Sequence, residues 1–143
     1  MFKKILVCSD GSDCSLEAAR MGASIAGRFG AEVVALHVFH IDSGSMGVWA
    51  IVLDNDSVDR SAREQRKAIE QSLRPLFEQA GAPFQMVQKI GHPVDFILAL
   101  AEAEQVDLII MGSHGLGGFE RMLLGSVSER VVHHAHCPVL IVR

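Results

Sequence analysis

The sequence predicts an α/β fold in which helices cover both faces of a parallel sheet. Short runs that are apolar throughout alternate with longer segments that carry apolar residues on one helical face, and such strands belong to parallel sheets buried on both sides. Hydrophobic residues make up 49% of the chain and charged residues 21%, a normal globular balance. A chain of 143 residues is long enough for one proper core. We therefore expect a single three-layer α/β/α domain over residues 1–143.

Five apolar runs are predicted to form the strands. The first ends in the turn residues "DGS", the second is rich in valine, and the fourth leads into a glycine-rich segment. Short apolar runs bounded by turn residues are typical of buried strands. The five runs are, in order, Lys3–Ser9, Glu32–Phe39, Pro83–Ile90, Val106–Met111 and Pro138–Arg143.

Four helices are predicted between the strands. In the first, apolar residues recur at helical spacing, and Gly30 follows the last of them. The second is highly charged but keeps an apolar stripe, which is typical of a helix with one solvated face. Pro75 lies inside it and is expected to kink or interrupt it, because proline has no N–H and clashes with the preceding turn. The predicted ranges are Ser15–Phe29, Asp56–Ala80, Val94–Gln105 and Ser126–Ala135.

Charge and cysteine content exclude several classes of protein. The formal net charge is −4 and there is no basic block, which argues against nucleic acid or an anionic membrane as the main partner. The apolar run "ILVC" is too short for a signal peptide, and no stretch approaches a membrane span of about 20 residues. The chain has three cysteines, an odd number, and no CxxC pair. A disulfide framework is therefore not expected, which fits a reducing compartment. We expect a cytoplasmic location.

The segment "GSHGLGGFERMLLGS", from Gly112 to Ser126, is the strongest functional signal. It leaves the carboxyl end of the fourth strand, where ligands bind in open parallel sheets, and it delivers the chain to a helix. A helix N-terminus attracts anions, and glycines let backbone N–H groups approach phosphate oxygens closely. Ser126 adds a hydroxyl at the expected cap position. The alternative is that the glycines only shape the loop.

Two familiar phosphate-binding motifs do not fit this segment. A Walker A loop requires lysine after its second glycine, but Gly117 is followed by Gly118. The Rossmann pattern fails because Glu120 stands where its third glycine is needed, and because that motif should follow the first strand.

The segment fits the pattern G-x2-G-x9-G-[ST] through Gly112, Gly115, Gly125 and Ser126, and this resembles the ATP-binding signature of the universal stress protein family. The stretches "ILVCSDGSDCS", "DLIIMGSHG" and "LLGSVSERVVHHAHCPVLIVR" also look like parts of that family. The resemblance implies an adenine nucleotide alpha hydrolase-like sheet of five parallel strands in the order 3-2-1-4-5. It also implies ATP as the ligand and a homodimer formed through the C-terminal strand Pro138–Arg143.

The resemblance further implies where the nucleotide binds. Asp10 would contact the adenosine side, and the backbone of Val38 would contact adenine. The stretch from Met111 to Gly115 would line the ribose and phosphates, and the start of the last helix would hold the triphosphate. The implied binding residues are Ser9, Asp10, Val38, Met111, Gly112, His114, Gly115, Gly125, Ser126, Val127 and Ser128.

ATP would bring about four negative charges into an acidic protein, so we expect Mg²⁺ with it, with help from Arg121 or His114. The protein ligands of the metal stay open. Many members of the family carry a basic residue where this chain has Leu116, so the γ-phosphate is expected to be held less firmly here.

The other candidate residues each have a structural alternative. The group His133, His134, His136 and Cys137 either binds a metal or lies at a helix end, where histidines suit the dipole. Cys14 is either a reactive thiol at a helix N-terminus or an ordinary side chain, and Cys8 is most simply part of the core. Asp10 either caps the first helix or contacts ligand. The segment 40–55 is either loop and apolar flap or the start of a helix, and its Trp49 either packs or covers the nucleotide.

No Ser/His/Asp set, paired carboxylates or nucleophile elbow supports rapid catalysis. The sequence therefore favours an ATP-binding regulatory homodimer of the stress response, with at most slow hydrolysis or autophosphorylation and an unknown protein partner. Two alternatives stay open. One is an adenine-nucleotide-dependent enzyme, adenylate-forming or phosphoryl-transferring, and the other is a nucleotide-independent interaction dimer.

Overall fold

The structure, a computed structural model, describes residues 1–40, 55–115 and 124–143. Strands and helices alternate along the chain, as predicted. The strands are β1 (Lys4–Cys8), β2 (Glu32–Phe39), β3 (Phe84–Ile90), β4 (Leu108–Gly112) and β5 (Val139–Val142). The helices are α1 (Asp13–Phe29), α2 (Asn55–Ala80), α3 (Pro93–Ala103) and α4 (Ser126–His134). Each boundary lies within two residues of its predicted position.

The five strands form one parallel sheet in the order β3-β2-β1-β4-β5, which confirms the α/β fold class and the strand order. β1 lies at the centre, with Leu6 opposite Val34 of β2 and Ile109 of β4. The order reverses at β1, so the loops that follow β1 and β4 meet at the carboxyl edge of the sheet. This is where an open α/β sheet leaves a crevice for a ligand.

Alternate residues of the central strand enter two separate cores, which gives the three layers. Ile5 and Val7 pack with α1 and α2, where Phe77 is fully buried. Leu6 and Cys8 point to the opposite face and pack in the core that includes Ile97 of α3 and Val131 of α4. Because both faces of β1 are covered, the strand is apolar and buried from Ile5 to Cys8, as the sequence pattern indicated.

Helix α1 begins two residues before its predicted start. Ser12 is its N-cap, and the Ser12 hydroxyl oxygen accepts a hydrogen bond from the N–H of Ser15 at 3.2 Å. Asp10 is therefore not the cap of this helix. The helix ends at Gly30, whose φ of 67° is the left-handed conformation that glycine adopts most easily.

The predicted interruption at Pro75 is wrong, since α2 continues through it to Ala80. Pro75 lies on the exposed side of the helix, while Leu73 and Phe77 on either side of it are buried. The carbonyl of Gln71, which loses its usual N–H partner, belongs to an exposed residue and so has access to water. Burial of the apolar stripe keeps the helix continuous.

Several sequence-based expectations fall outside the described residues. They concern most of the segment 40–55, including Trp49, and the part of the glycine loop that contains Leu116 and Arg121. Within the three described ranges, none of the helices has the length and apolar character needed to cross a membrane.

Candidate nucleotide site

A cavity of about 120 Å³ lies at the carboxyl edge of the sheet, between the ends of β1 and β4 and the start of α4. Ten of the eleven residues that the sequence singled out line it, which are Ser9, Asp10, Val38, Met111, Gly112, His114, Gly115, Gly125, Val127 and Ser128. The eleventh, Ser126, lines an adjoining cavity. The structure thus brings the predicted residues together, while their contacts with a ligand stay predictions.

One wall of the cavity is apolar. Leu36 and Val38 point to the same side of β2, Pro93 and Ile97 lie one turn apart on α3, and Met111 faces them from β4. The sequence analysis missed Leu36, Pro93 and Ile97. Their signals were present, because Leu36 is two residues before Val38 on a strand, and Pro93 and Ile97 have i, i+4 spacing on a helix. Such a wall suits a flat aromatic ring.

Cys8 also lines the cavity, but it is not a reactive thiol. Burial, together with the nearby negative charge of Asp10, raises the pKa of Cys8 to about 12. The thiolate is the nucleophilic form of cysteine, so the side chain behaves as a small apolar group at neutral pH.

A wider cavity of about 800 Å³ continues from the first and shares Asp10, Val38, Pro93 and Val127 with it. Its lining adds several polar side chains, which are His37, His40, Gln65, His92, Asp95, Ser126 and Arg130. Among the described residues that line either cavity, Arg130 is the only lysine or arginine. An anion in this cleft would depend mainly on backbone N–H groups.

Asp10 is held by the turn that follows β1. Its Oδ1 accepts a hydrogen bond from the N–H of Ser12 at 2.9 Å, and Gly11 between them has a φ of 86°. A Cβ placed on Gly115 would lie 2.5 Å from Oδ2 of Asp10. The loop after β4 therefore approaches the carboxylate as closely as only a glycine allows.

The other two motif glycines meet protein atoms. A Cβ on Gly112 would lie 2.9 Å from Sγ and 3.0 Å from the carbonyl carbon of Cys14, so this glycine makes room for the first turn of α1. A Cβ on Gly125 would lie 3.1 Å from the carbonyl oxygen of Ser113. Both glycines thus have a structural role in building the crevice.

The start of α4 forms the polar end of the cavity. Gly125, and not Ser126 as expected, is the N-cap, and its N–H donates to the carbonyl of Ser113 at 2.7 Å. The hydroxyl of Ser128 donates to the same carbonyl at 2.9 Å. The N–H groups of Ser126, Val127 and Ser128 have no acceptor among the described residues. These groups and the helix dipole favour an anion here.

His114 carries a buried polar atom in the middle of the site. Its Nδ1 is 2.9 Å from the hydroxyl oxygen of Ser113, a fully buried residue. Its Nε2 is buried and has no hydrogen-bond partner within the described part of the chain. A buried polar atom of this kind is uncommon in folded proteins, so Nε2 is a candidate for contact with a ligand.

His37 links the site to α2, and the sequence analysis missed it. Its imidazole is buried, with Nδ1 3.0 Å from the carbonyl oxygen of Ser9 and Nε2 3.1 Å from the side-chain amide of Gln65. Ser9 in turn donates its backbone N–H to Leu36. The end of β1 is therefore fixed from both β2 and α2, one residue before Asp10.

The remaining sequence candidates do not line either cavity. His133, His134 and His136 are exposed at the end of α4, and Cys137 is half-buried with its pKa raised mainly by burial. The described residues contain no group of three or more side chains suited to hold a metal ion. The thiol of Cys14 donates to the carbonyl of Val142 at 3.1 Å.

Comparison with known proteins places the chain in a family. The model of the universal stress protein family matches residues 1–143. Universal stress protein MJ0531 of Methanocaldococcus jannaschii is 37% identical over all of this chain and 83% of its own length.

Two solved structures share the fold. The structure of the hypothetical protein MJ0577 superposes with a TM-score of 0.85 at 30% identity, covering 99% of this chain and 96% of that one. A universal stress protein solved in complex with cAMP gives a TM-score of 0.67 at 28% identity, covering 99% and 97%. The chain belongs to the universal stress protein family.

Proposed function

We propose that this protein binds ATP or a related adenine nucleotide in the crevice between β1 and β4, and that it acts as a regulatory protein of the stress response. The observation that carries the proposal is the juxtaposition of an apolar wall with an open helix N-terminus in one cleft. A purine fits the first and phosphate groups fit the second. A similar protein in complex with cAMP adds support for this class of ligand.

Backbone groups would carry most of the phosphate recognition. Hydrogen bonds to a charged group are worth roughly 1.5–3 kcal/mol each, so several N–H groups at the start of α4 replace the missing lysine. Arg130 is well placed to add one positive charge at the rim of the wider cavity. The carboxylate of Asp10 lies on the same cleft and would repel phosphates but accept hydrogen bonds from neutral ligand groups.

We propose that Mg²⁺ accompanies ATP, because the cleft holds few positive charges to offset the triphosphate. The metal would be held mainly by phosphate oxygens and water. Titration of ATP in excess Mg²⁺ and in EDTA tests this, and equal affinities under both conditions would contradict it.

Chemistry on the nucleotide is proposed to be slow at most. Among the described residues that line the cleft, no candidate nucleophile is hydrogen-bonded to a side chain that could act as a base, except Ser113. The hydroxyl of Ser113 lies beside Nδ1 of His114. Ser113 is buried and its hydroxyl already lies within hydrogen-bond range of two side chains. Slow hydrolysis or autophosphorylation is compatible with this arrangement, and rapid turnover is not expected.

We further propose a homodimer that assembles through β5, with an unknown protein as its partner in regulation. β5 pairs with β4 on one side, and no described strand pairs with its other side. An apolar edge strand of this kind invites pairing with a second copy. The three cysteines are free, which agrees with the proposed cytoplasmic location.

The first experiment is calorimetric titration of the protein with ATP, ADP and AMP, each with Mg²⁺, and the same titrations on Gly115→Val. We expect micromolar binding of at least one nucleotide, lost in the variant while circular dichroism shows an intact fold. If the unmodified protein binds none of the three, nucleotide binding is wrong, and the nucleotide-independent interaction dimer becomes the working hypothesis.

A further inference from the structure

We propose that His114 recognises a ribose hydroxyl of the bound nucleotide, with Nε2 as a hydrogen-bond acceptor, and that it does not contact the phosphates. This inference rests on the proposed nucleotide binding and assigns one residue a specific part in it. It follows from a chain of hydrogen bonds that determines which ring nitrogen of His114 carries the proton.

The chain begins at a group that can only accept. The carbonyl oxygen of Val142, in β5, lies 3.1 Å from Sγ of Cys14, so the thiol of Cys14 donates its hydrogen there. The sulfur of Cys14 is then left with lone pairs alone, and it lies 3.6 Å from the hydroxyl oxygen of Ser113. That hydroxyl oxygen lies 2.9 Å from Nδ1 of His114.

Only one direction of donation uses every contact. If Nδ1–H of His114 donates to Ser113, the hydroxyl of Ser113 can donate to Cys14, and three hydrogen bonds form in series. If the hydroxyl of Ser113 instead donates to Nδ1, its contact with Cys14 has no hydrogen. The ring proton then moves to Nε2, where it is a buried donor without an acceptor among the described residues. Buried N–H groups without partners are rare, so the first direction is favoured.

In the favoured direction Nε2 of His114, in the neutral form of the ring, is an unprotonated nitrogen with a buried lone pair. Its partner must be a hydrogen-bond donor, and phosphate oxygens at neutral pH are acceptors. The donors that a nucleotide offers are the ribose hydroxyls and the amino group of the base.

The position of His114 selects the ribose. His114 lies between Gly115, which approaches the carboxylate of Asp10, and Gly125, whose Cβ would lie 3.6 Å from the Cα of His114. The apolar wall suited to the base is built from β2, α3 and Met111. The loop that carries His114 thus lies between the place for the base and the start of α4, where the sugar of a nucleotide must pass.

The test compares ATP with 2′-deoxy-ATP and 3′-deoxy-ATP by calorimetry, on the unmodified protein, His114→Leu and His114→Gln. We expect one deoxy analogue to bind the unmodified protein about tenfold more weakly than ATP, since one hydrogen bond to a buried group is lost. His114→Leu should bind ATP about tenfold more weakly and no longer distinguish the analogue. His114→Gln should recover most of the discrimination, because its side-chain oxygen can accept a hydrogen bond near the place of Nε2.

A second comparison separates ribose from phosphate recognition. AMP and ATP share the ribose, so His114→Leu should weaken both by the same factor. A clearly larger loss for ATP would mean that His114 contacts the outer phosphates, and it would overturn the inference while leaving nucleotide binding intact. Equal binding of ATP and both deoxy analogues to the unmodified protein would overturn it as well, and needs no variant to fold. If the unmodified protein binds no adenine nucleotide, the proposed function fails and this inference with it.

Discussion

The carboxylate of Asp10 lies against the backbone of Gly115, so that a single added carbon on Gly115 would come within 2.5 Å of Oδ2. These two residues are 105 positions apart in the chain and meet because β1 and β4 are neighbours in the sheet. The contact joins the acidic turn after β1 to the glycine loop after β4. It makes the position of Asp10 depend on the absence of a side chain at Gly115.

Gly115→Ala should therefore impair binding and leave stability nearly unchanged. The atom that must move is the end of the flexible Asp10 side chain, so the free energy of unfolding should change by less than about 0.5 kcal/mol. If Asp10 contacts the nucleotide, its displacement should weaken binding about tenfold, the value of roughly one hydrogen bond. Calorimetry with ATP and urea unfolding measure the two effects.

Gly30→Ala is the matched control for this variant. Gly30 ends α1 away from the cleft, has a φ of 67° and has no heavy atom near the place of an added Cβ. Alanine there should cost about 1 kcal/mol of stability through backbone strain and leave nucleotide affinity unchanged. Weaker nucleotide binding in Gly30→Ala would show that the loss in Gly115→Ala is not specific to Asp10.

Gly112→Ala, in contrast to Gly115→Ala, should lower the stability of the fold. Its Cβ would lie 2.9 Å from Sγ and 3.0–3.1 Å from the backbone carbonyl atoms of Cys14, which cannot move without shifting α1. Overpacking of this kind costs typically 1–3 kcal/mol, measurable by urea unfolding. Adding Cys14→Ala should restore only part of the loss, since the backbone contacts remain. A Gly112→Ala variant as stable as the unmodified protein would contradict this structural role.

These glycines show what the sequence could and could not predict. The apolar runs and helical spacing predicted every described element to within two residues, because burial on one or both faces imposes those patterns. Of the eleven binding residues that the resemblance implied, ten line one cavity. The pattern could not show that Gly112 makes room for Cys14, since that contact joins residues 98 positions apart. Contacts of this kind depend on the packing of α1 against β4, which no local pattern records.

The same limit explains the other differences. The local chemistry of Pro75 predicted an interruption of α2. Burial of Leu73 and Phe77 outweighs the loss of one backbone hydrogen bond on the exposed side of the helix. The hydrogen bond between His37 of β2 and Gln65 of α2 joins residues 28 positions apart, and neither residue stands in a recognisable motif. Polar side chains inside a core have partners that only the fold identifies.

Asp107 lies just before β4, at the amino ends of the strands and so opposite the cleft. It gives the stability of the fold a predictable dependence on pH. Its Oδ2 accepts hydrogen bonds from the N–H groups of Lys4 at 2.9 Å and Lys3 at 2.7 Å, and these bonds lower the pKa of Asp107 below its ordinary value of 3.8. A lowered pKa in the folded chain means that the stabilisation is fully present above the ordinary value. It is lost as the pH falls through the lower folded value.

Asp107→Asn should therefore be less stable at pH 7 by about 1 kcal/mol, a figure reduced for the partial exposure of the group. The difference should begin to shrink at about pH 4, where the carboxyl group of the unfolded chain takes up a proton, and should be smallest below the lowered pKa of Asp107 in the folded chain. Thermal unfolding between pH 7 and pH 2.5 measures it. Asp59→Asn, which changes an exposed carboxylate of α2, serves as control and should give a curve parallel to that of the unmodified protein. A difference in stability between Asp107→Asn and the unmodified protein that grows at low pH would contradict this prediction.

The free edge of β5 gives the last prediction, which concerns assembly. The carbonyls of Pro138 and Val142 accept hydrogen bonds from Ile109 and Ser113, so these residues point their backbone groups toward the β4 side. Because backbone groups alternate along a parallel strand, the N–H and carbonyl of Ile141 point to the open edge. We expect the unmodified protein to sediment as a dimer at micromolar concentration.

Ile141→Pro should convert that dimer to a monomer. Proline removes the outward N–H of Ile141 and crowds the edge, yet it breaks no hydrogen bond to β4, and edge strands tolerate it. Ile141→Ala is the matched control, because it loses the same side-chain contacts and keeps the N–H. It should be less stable by about 1–3 kcal/mol but remain dimeric. Sedimentation velocity over a range of concentrations distinguishes the cases. A dimer that persists in a folded Ile141→Pro variant would mean that another surface joins the two copies.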